Sequence, residues 1–127
     1  MKFSTRAEYG LKAMTNLAKS FPEKKSLILI SKEEGISTKY LERLIGELRK
    51  NKLVKSYKGK NGGYALARSP KLIKAGEVIE ILEGTIAPMK CAETNCQICG
   101  CSSRIVWEKL DRQIRKTLYG IKLNDLV

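Results

Sequence analysis

The chain contains no histidine. That absence removes His-based catalytic triads, ordinary histidine general bases and His-ligated zinc or haem, and no nucleophile and base pair stands in for them, so catalysis is not expected. Cysteine is missing everywhere except one short window, which holds Cys91, Cys96, Cys99 and Cys101. A disulfide framework would spread its thiols to staple distant segments, so this clustering argues for metal instead. No run of about 18 apolar residues is present, so no transmembrane helix is expected. Lys2, Arg6, Glu8 and Lys12 interrupt the apolar region that a secretory signal would need. A cytoplasmic protein is the resulting expectation.

Acidic side chains are also scarce: 13 Asp and Glu face 25 Lys and Arg, for a net charge of +12 over 127 residues. The length suits one domain with an appendage, and 43% hydrophobic with 30% charged residues is a globular composition. The basic excess lies mostly in the first half, where residues 1–60 carry 15 basic and 6 acidic side chains (+9). Residues 61–127 carry 10 and 7 (+3). A polyanionic partner should therefore meet the first half.

Helical spacing of Tyr9, Leu11, Ala13, Met14, Leu17 and Ala18 predicts a first helix from Ser4 to Lys19, with Ser4 or Thr5 as cap. A short helix over Leu27–Glu34 is stopped by Gly35. Ser37 then caps a third helix reaching about Lys50, with Ile36, Tyr40, Leu41, Leu44, Ile45 and Leu48 as its buried stripe. Thr38, Lys39, Glu42, Arg43, Gly46 and Arg49 occupy the other face. Leu53–Lys58 and Tyr64–Ala67 read as strands around the tip Gly59-Lys60-Asn61-Gly62-Gly63. Helix, turn, helix and a basic hairpin together make a winged helix.

A further helix is expected over Ala75–Leu82, stopped at Gly84, followed by an irregular segment holding every cysteine. Ser102 or Ser103 opens a long helix to Tyr119. Trp107, Leu110, Ile114, Thr117 and Ile121 recur along it at spacings of three and four, a seam with no internal place to be buried, so a homodimer through this helix is expected. The fold class is mainly α with a small β-hairpin wing. The expected division is a winged helix-turn-helix domain over 1–84, a Cys-rich cluster-binding loop over 85–101, and a dimerisation helix with C-terminal segment over 102–127.

The tract Arg49–Lys60 holds six basic residues and no acid. It joins the end of the recognition helix to the hairpin tip, the two elements a winged helix sets against a duplex, and its cations suit phosphates. No aromatic platform for stacked bases accompanies the charge, which disfavours RNA. Residues expected at double-stranded DNA are Ser37, Thr38, Lys39, Tyr40, Glu42, Arg43 and Arg49 on the helix, with Lys58, Lys60, Asn61 and Gly62 at the wing. Arg and Lys suit guanine, and Glu accepts from cytosine N4. Glu42 could instead pair with Arg43 or Arg49, and Gly62-Gly63 could serve turn geometry alone. Thiolates at the four cysteines suit an iron-sulfur cluster or, alternatively, zinc.

Taken together, Tyr9-Gly10-Leu11-Lys12-Ala13-Met14, Gly35-Ile36-Ser37 through Tyr40-Leu41-Glu42, Leu48-Arg49-Lys50-Asn51, Gly62-Gly63-Tyr64, Gly76-Glu77-Val78-Ile79 and the Cys segment resemble the Rrf2 family of winged-helix transcription regulators. Within it they are similar to the iron-sulfur-sensing branch typified by IscR and NsrR. The resemblance implies a homodimer on an imperfect palindrome, with the recognition helix in the major groove and the wing in the minor groove. It also implies a two-iron or four-iron cluster held by Cys91, Cys96 and Cys101. The loop is two residues shorter than in IscR, and Arg104, which cannot ligate, occupies the position of the IscR histidine ligand. The fourth ligand implied is either Cys99 or Glu8 from the partner subunit.

Overall fold

Two serines and a glycine mark out the centre of the structure. Ser26 accepts a hydrogen bond from the Leu29 amide (3.2 Å) and Ser37 one from the Tyr40 amide (3.3 Å), each capping a helix start. Between them Gly35 sits at φ 68°, ψ 33°, the left-handed conformation that ends one helix and turns the chain into the next. The computed structural model describes residues 2–88 and 102–127. In chain order these form α1 (Thr5–Ser20), α2 (Leu27–Glu34), α3 (Thr38–Lys50), β1 (Val54–Tyr57), β2 (Gly63–Leu66), a 3-10 turn (Pro70–Leu72), α4 (Ala75–Glu83), α5 (Arg104–Leu118) and a second 3-10 segment (Leu123–Leu126).

The core is built where the apolar stripes of α1, α2, α3 and α4 meet. Leu41, Leu44, Ile45 and Leu48 of α3 pack with Met14 and Leu17 of α1, Ile30 of α2 and Val78 and Leu82 of α4. Each fully buried aliphatic side chain contributes about 1.5–3 kcal/mol to the folded state. Ser4 occupies the position before α1, but its amide (2.7 Å) and its hydroxyl both donate to Glu83 at the end of α4. The expected local cap is thus replaced by a tie between two distant helices.

The wing is an antiparallel hairpin in the register Val54↔Leu66 to Tyr57↔Gly63. A third chain segment joins it: Lys25 and Tyr64 exchange both backbone hydrogen bonds at 2.8 Å, which fastens the approach to α2 onto β2. The C-terminal segment also returns to the body. Lys74 and Lys122 form a bridge, the Leu123 amide donates to the Ile73 carbonyl (2.9 Å), and Leu123 is fully buried in the main core.

Helix α5 contrasts with the others in having no fully buried residue. Ile114 and Leu118, with Tyr119 just beyond, pack on a second cluster of Ala7, Ile79 and Ile86. Of the expected seam, Leu110 and Thr117 are exposed and Trp107 is half-buried. Ile114 is engaged within the chain and Ile121 lies past the helix end, while Ile105, Val106 and Leu110 are the apolar side chains left exposed. Helix α5 turns its Ile114 and Leu118 edge onto Ala7 of α1 and Ile79 of α4.

Candidate nucleic-acid interface

Burial of one side of α3 dictates what the other side offers. With Leu41, Leu44, Ile45 and Leu48 inward, Ser37, Thr38, Lys39, Glu42, Arg43 and Arg49 are all exposed. Tyr40 falls between the two faces and is half-buried. Its ring meets Tyr9 edge-on, with centroids 5.9 Å apart, and its hydroxyl lies 3.4 Å from the Thr5 hydroxyl, so it braces α3 against α1. Glu42 forms no ion pair with Arg43 or Arg49 among the described residues. Arg49 instead reaches the Ser56 hydroxyl on β1 at 3.4 Å, linking helix to wing.

Between α3 and the wing runs a cleft of about 360 Å³, lined by Glu42, Gly46, Arg49, Tyr57, Lys58 and Tyr64 among others. Lys58, Lys60 and Asn61 are exposed at the hairpin tip. Gly62 and Gly63 answer to backbone approach: a Cβ on Gly62 would overlap the Tyr57 carbonyl oxygen, and one on Gly63 would stand 2.5 Å from that of Lys25. Gly62 thus shapes the tip whatever else it touches. Among the described residues Lys39, Arg43, Lys52, Lys55, Lys58 and Lys60 enter no ion pair, so cations outnumber the lone Glu42 carboxylate on the surface from α3 to the wing. Such a surface can neutralise phosphates while short polar and charged groups on α3 reach base edges.

Two features of this surface were not anticipated. Lys52, between α3 and β1, adopts φ 63°, a left-handed conformation that disfavours any side chain. Tyr57 is 45% exposed on β1, with the Lys24 ammonium 5.2 Å from its ring centre. Glycine would have announced the first; the second joins residues far apart in sequence, and no local pattern signals it.

On the opposite side, Glu8 of α1 is exposed and pairs with Lys12 one turn on, at 3.8 Å. It borders a shallow cleft with Leu11, Thr15, Asn16 and Leu126. Arg104 pairs with Glu108 at 2.6 Å. Cys91, Cys96, Cys99 and Cys101 lie outside the described residues, and no group of acidic side chains gathers to hold a metal among the described residues.

A polar chain ties α5 to α4. The Tyr119 hydroxyl donates to Glu80, Arg115 reaches Glu80 at 3.3 Å, and Arg115 also meets Asp111 at 3.2 Å. Burial, reinforced by the Glu80 hydrogen bond and charge, pushes the Tyr119 hydroxyl up to about 12. Burial works against the Arg115 cation, but Asp111 and Glu80 outweigh it and hold its pKa above the usual value.

Comparison with known proteins bears on this surface as a whole. The family described as "Rrf2: Iron-dependent Transcriptional regulator" matches residues 3–127. The chain is 38% identical over 127 residues to the HTH-type transcriptional regulator CymR of Bacillus subtilis (strain 168), spanning 99% of this chain and 89% of that one. A solved structure titled "T. potens IscR" superposes with a TM-score of 0.82 at 40% identity, covering 99% of this chain and 85% of that one. The structure of CymR (YrzC), titled the global cysteine regulator of B. subtilis, gives 0.86 at 35%, covering 99% and 95%. No helix among the described residues is long and apolar enough to cross a membrane.

Proposed function

This chain belongs to the Rrf2 family of transcriptional regulators, and from that premise we propose that it is a homodimeric, sequence-specific double-stranded DNA-binding regulator controlled by an iron-sulfur cluster. The observation that carries the DNA-binding part is the run of exposed cations without ion pairs among the described residues, Lys39 and Arg43 on α3 and Lys52, Lys55, Lys58 and Lys60 through the wing. In this reading Ser37, Thr38, Lys39, Glu42 and Arg43 enter the major groove of an imperfect palindrome, with Tyr40 holding the helix at its angle. Arg49 closes the cleft beside them. Lys58, Lys60 and Asn61 reach the adjacent minor groove, with Gly62 shaping the tip. A carboxylate at Glu42 is tolerated because it accepts from a base amino group, and its lack of an arginine partner supports that role.

Dimerisation falls to α5, whose Ile105, Val106 and Leu110 are exposed at 56%, 58% and 38%. Val106 and Leu110 stand one turn apart on one face, and exposed apolar side chains so placed favour a matching helix from a second copy. The chain is accordingly read as a winged-helix domain over 1–84, a ligand loop over 85–101, and a dimer helix with its return segment over 102–127.

The donor chemistry fits a cluster. Four thiols within so short a span, with Cys91, Cys96 and Cys101 as ligands and either Cys99 or Glu8 of the partner subunit as the fourth, suit iron with sulfide. When bound, such a group supplies sensitivity to oxidation, nitric oxide and iron supply. Likeness to a protein titled the global cysteine regulator favours a second reading, in which the same fold is controlled by zinc or by the thiols themselves. The experiment is purification without oxygen, assay of iron, sulfide and zinc per chain, and measurement of duplex affinity before and after metal removal. Matched iron and sulfide with an altered affinity supports the cluster; one zinc per chain, or no metal after reconstitution, moves control to the second reading.

A further inference from the structure

Glycine is the poorest helix former after proline, so a glycine inside a helix calls for a reason. Gly10 of α1 has one, because a Cβ there would overlap the Leu82 side chain. Gly76 of α4 has one too, with the Tyr119 ring 2.5 Å from where its Cβ would lie. Gly35, Gly59 and Gly84 meet nothing, but each has a positive φ (68°, 100° and 86°) that disfavours a side chain. Gly62, Gly63 and Gly120 are pressed against backbone. Among the described glycines Gly46 alone has neither reason: it lies inside α3 with helical backbone, and a Cβ built on it has no neighbour within 4 Å.

The position of this bare site is informative. Gly46 lines the cleft between α3 and the wing, one helical turn from Glu42 on one side and from Arg49 on the other. It is a notch in the exposed face of the recognition helix, flanked by two of the side chains assigned to the duplex. We infer that Gly46 is kept bare by the nucleic acid itself, and that it is a specificity-determining position at which the edge of a base pair approaches the α3 backbone. This rests on the DNA-binding reading above. A methyl group there would lift α3 outward in the major groove and draw Glu42 away from base edges. Phosphate contacts from long flexible lysines would persist, because their reach absorbs a small displacement.

The test needs a duplex, which the unsubstituted protein itself selects from a randomised pool. Gly46→Ala is then compared with the unsubstituted protein on that duplex, on a scrambled duplex of the same composition, and in thermal melting. The expected result is a melting temperature that rises by a few degrees, since alanine favours the helix. Affinity for the selected duplex should fall about tenfold or more, with less than about a twofold change on the scrambled one, and Gly46→Ser should behave in the same direction. Undiminished affinity for the selected duplex would overturn the inference, as would an equal loss on both duplexes. So would a lowered melting temperature, which would give the glycine a structural reason. If the unsubstituted protein enriches no duplex, the DNA-binding reading falls first and this inference with it.

Discussion

Helices α3 and α5 are nearly equal in length, 13 and 15 residues, and both pair an apolar stripe with a charged face. Their fates differ. Helix α3 spends its whole stripe inside the chain, on α1, α2 and α4, so only its polar face remains for a partner. Helix α5 turns one edge onto Ala7, Ile79 and Ile86 and leaves Ile105, Val106 and Leu110 in solvent. On the proposed function, one small core serves two kinds of recognition. A helix satisfied within the fold presents charge, and suits a polyanion. A helix only half satisfied presents hydrocarbon, and suits a copy of itself.

The largest effect that would sharpen this contrast is in the core of α3. Leu48→Ala should cost about 2–5 kcal/mol of stability, read by denaturant unfolding, through a cavity beneath the recognition helix. Leu110→Glu should leave the fold of the chain intact and abolish the dimer. Sedimentation would show a monomer, and the melting temperature would cease to depend on protein concentration. If Leu110→Glu destabilises the chain as much as Leu48→Ala does, the two helices are not the different devices described.

A smaller effect is expected at Lys52, where φ 63° strains a side chain that carries an unpaired charge. Lys52→Gly should stabilise the protein by about 1 kcal/mol. It should also weaken duplex binding across all sequences and lower the salt slope by about 1. Gain of stability with loss of binding marks a residue retained for contact rather than for folding. The smallest effect is at the joint between α4 and α5. Tyr119 has its pKa raised from the ordinary 10.0 to about 12, so the folded state favours the protonated hydroxyl. The stability this provides is fully present below about pH 10 and lost as pH rises toward 12. Thermal melts of Tyr119→Phe should therefore fall less steeply over that window than those of the unsubstituted protein.

Much of this arrangement was legible in the residues. Ser37 and Gly35 are local signals whose meaning needs no partner, and the stripe of α3 repeats often enough to state its own period. The wing was legible because glycines cluster at its tip. What escaped was long in range. Ser4 bonding to Glu83, Lys25 pairing with Tyr64, and Leu123 returning to the core each join residues that no window contains together. Along α5 the expected seam included Ile114, because apolar residues at 105, 106, 107, 110, 114, 118 and 121 are spread too widely to say which edge the chain itself covers. Only packing against α1 and α4 decides which one turns inward. The exposed residues of α3 could be named from the helix period alone, whereas Lys52 and Gly46 needed a backbone and its empty space. The four cysteines, read as metal donors from their clustering, lie outside the described residues.

The central claim is that the α3 and wing surface reads DNA sequence as part of a symmetric dimer. The most direct measurement is hydroxyl-radical footprinting on a duplex selected by the protein from a randomised pool, with affinity against a scrambled duplex measured at physiological salt. The account predicts two protected half-sites related by two-fold symmetry and centred about one helical turn, or a multiple of it, apart. It further predicts that Arg43→Ala erases the preference for the selected duplex. Equal affinity for selected and scrambled duplexes, or protection of a single unsymmetrical site, would contradict it.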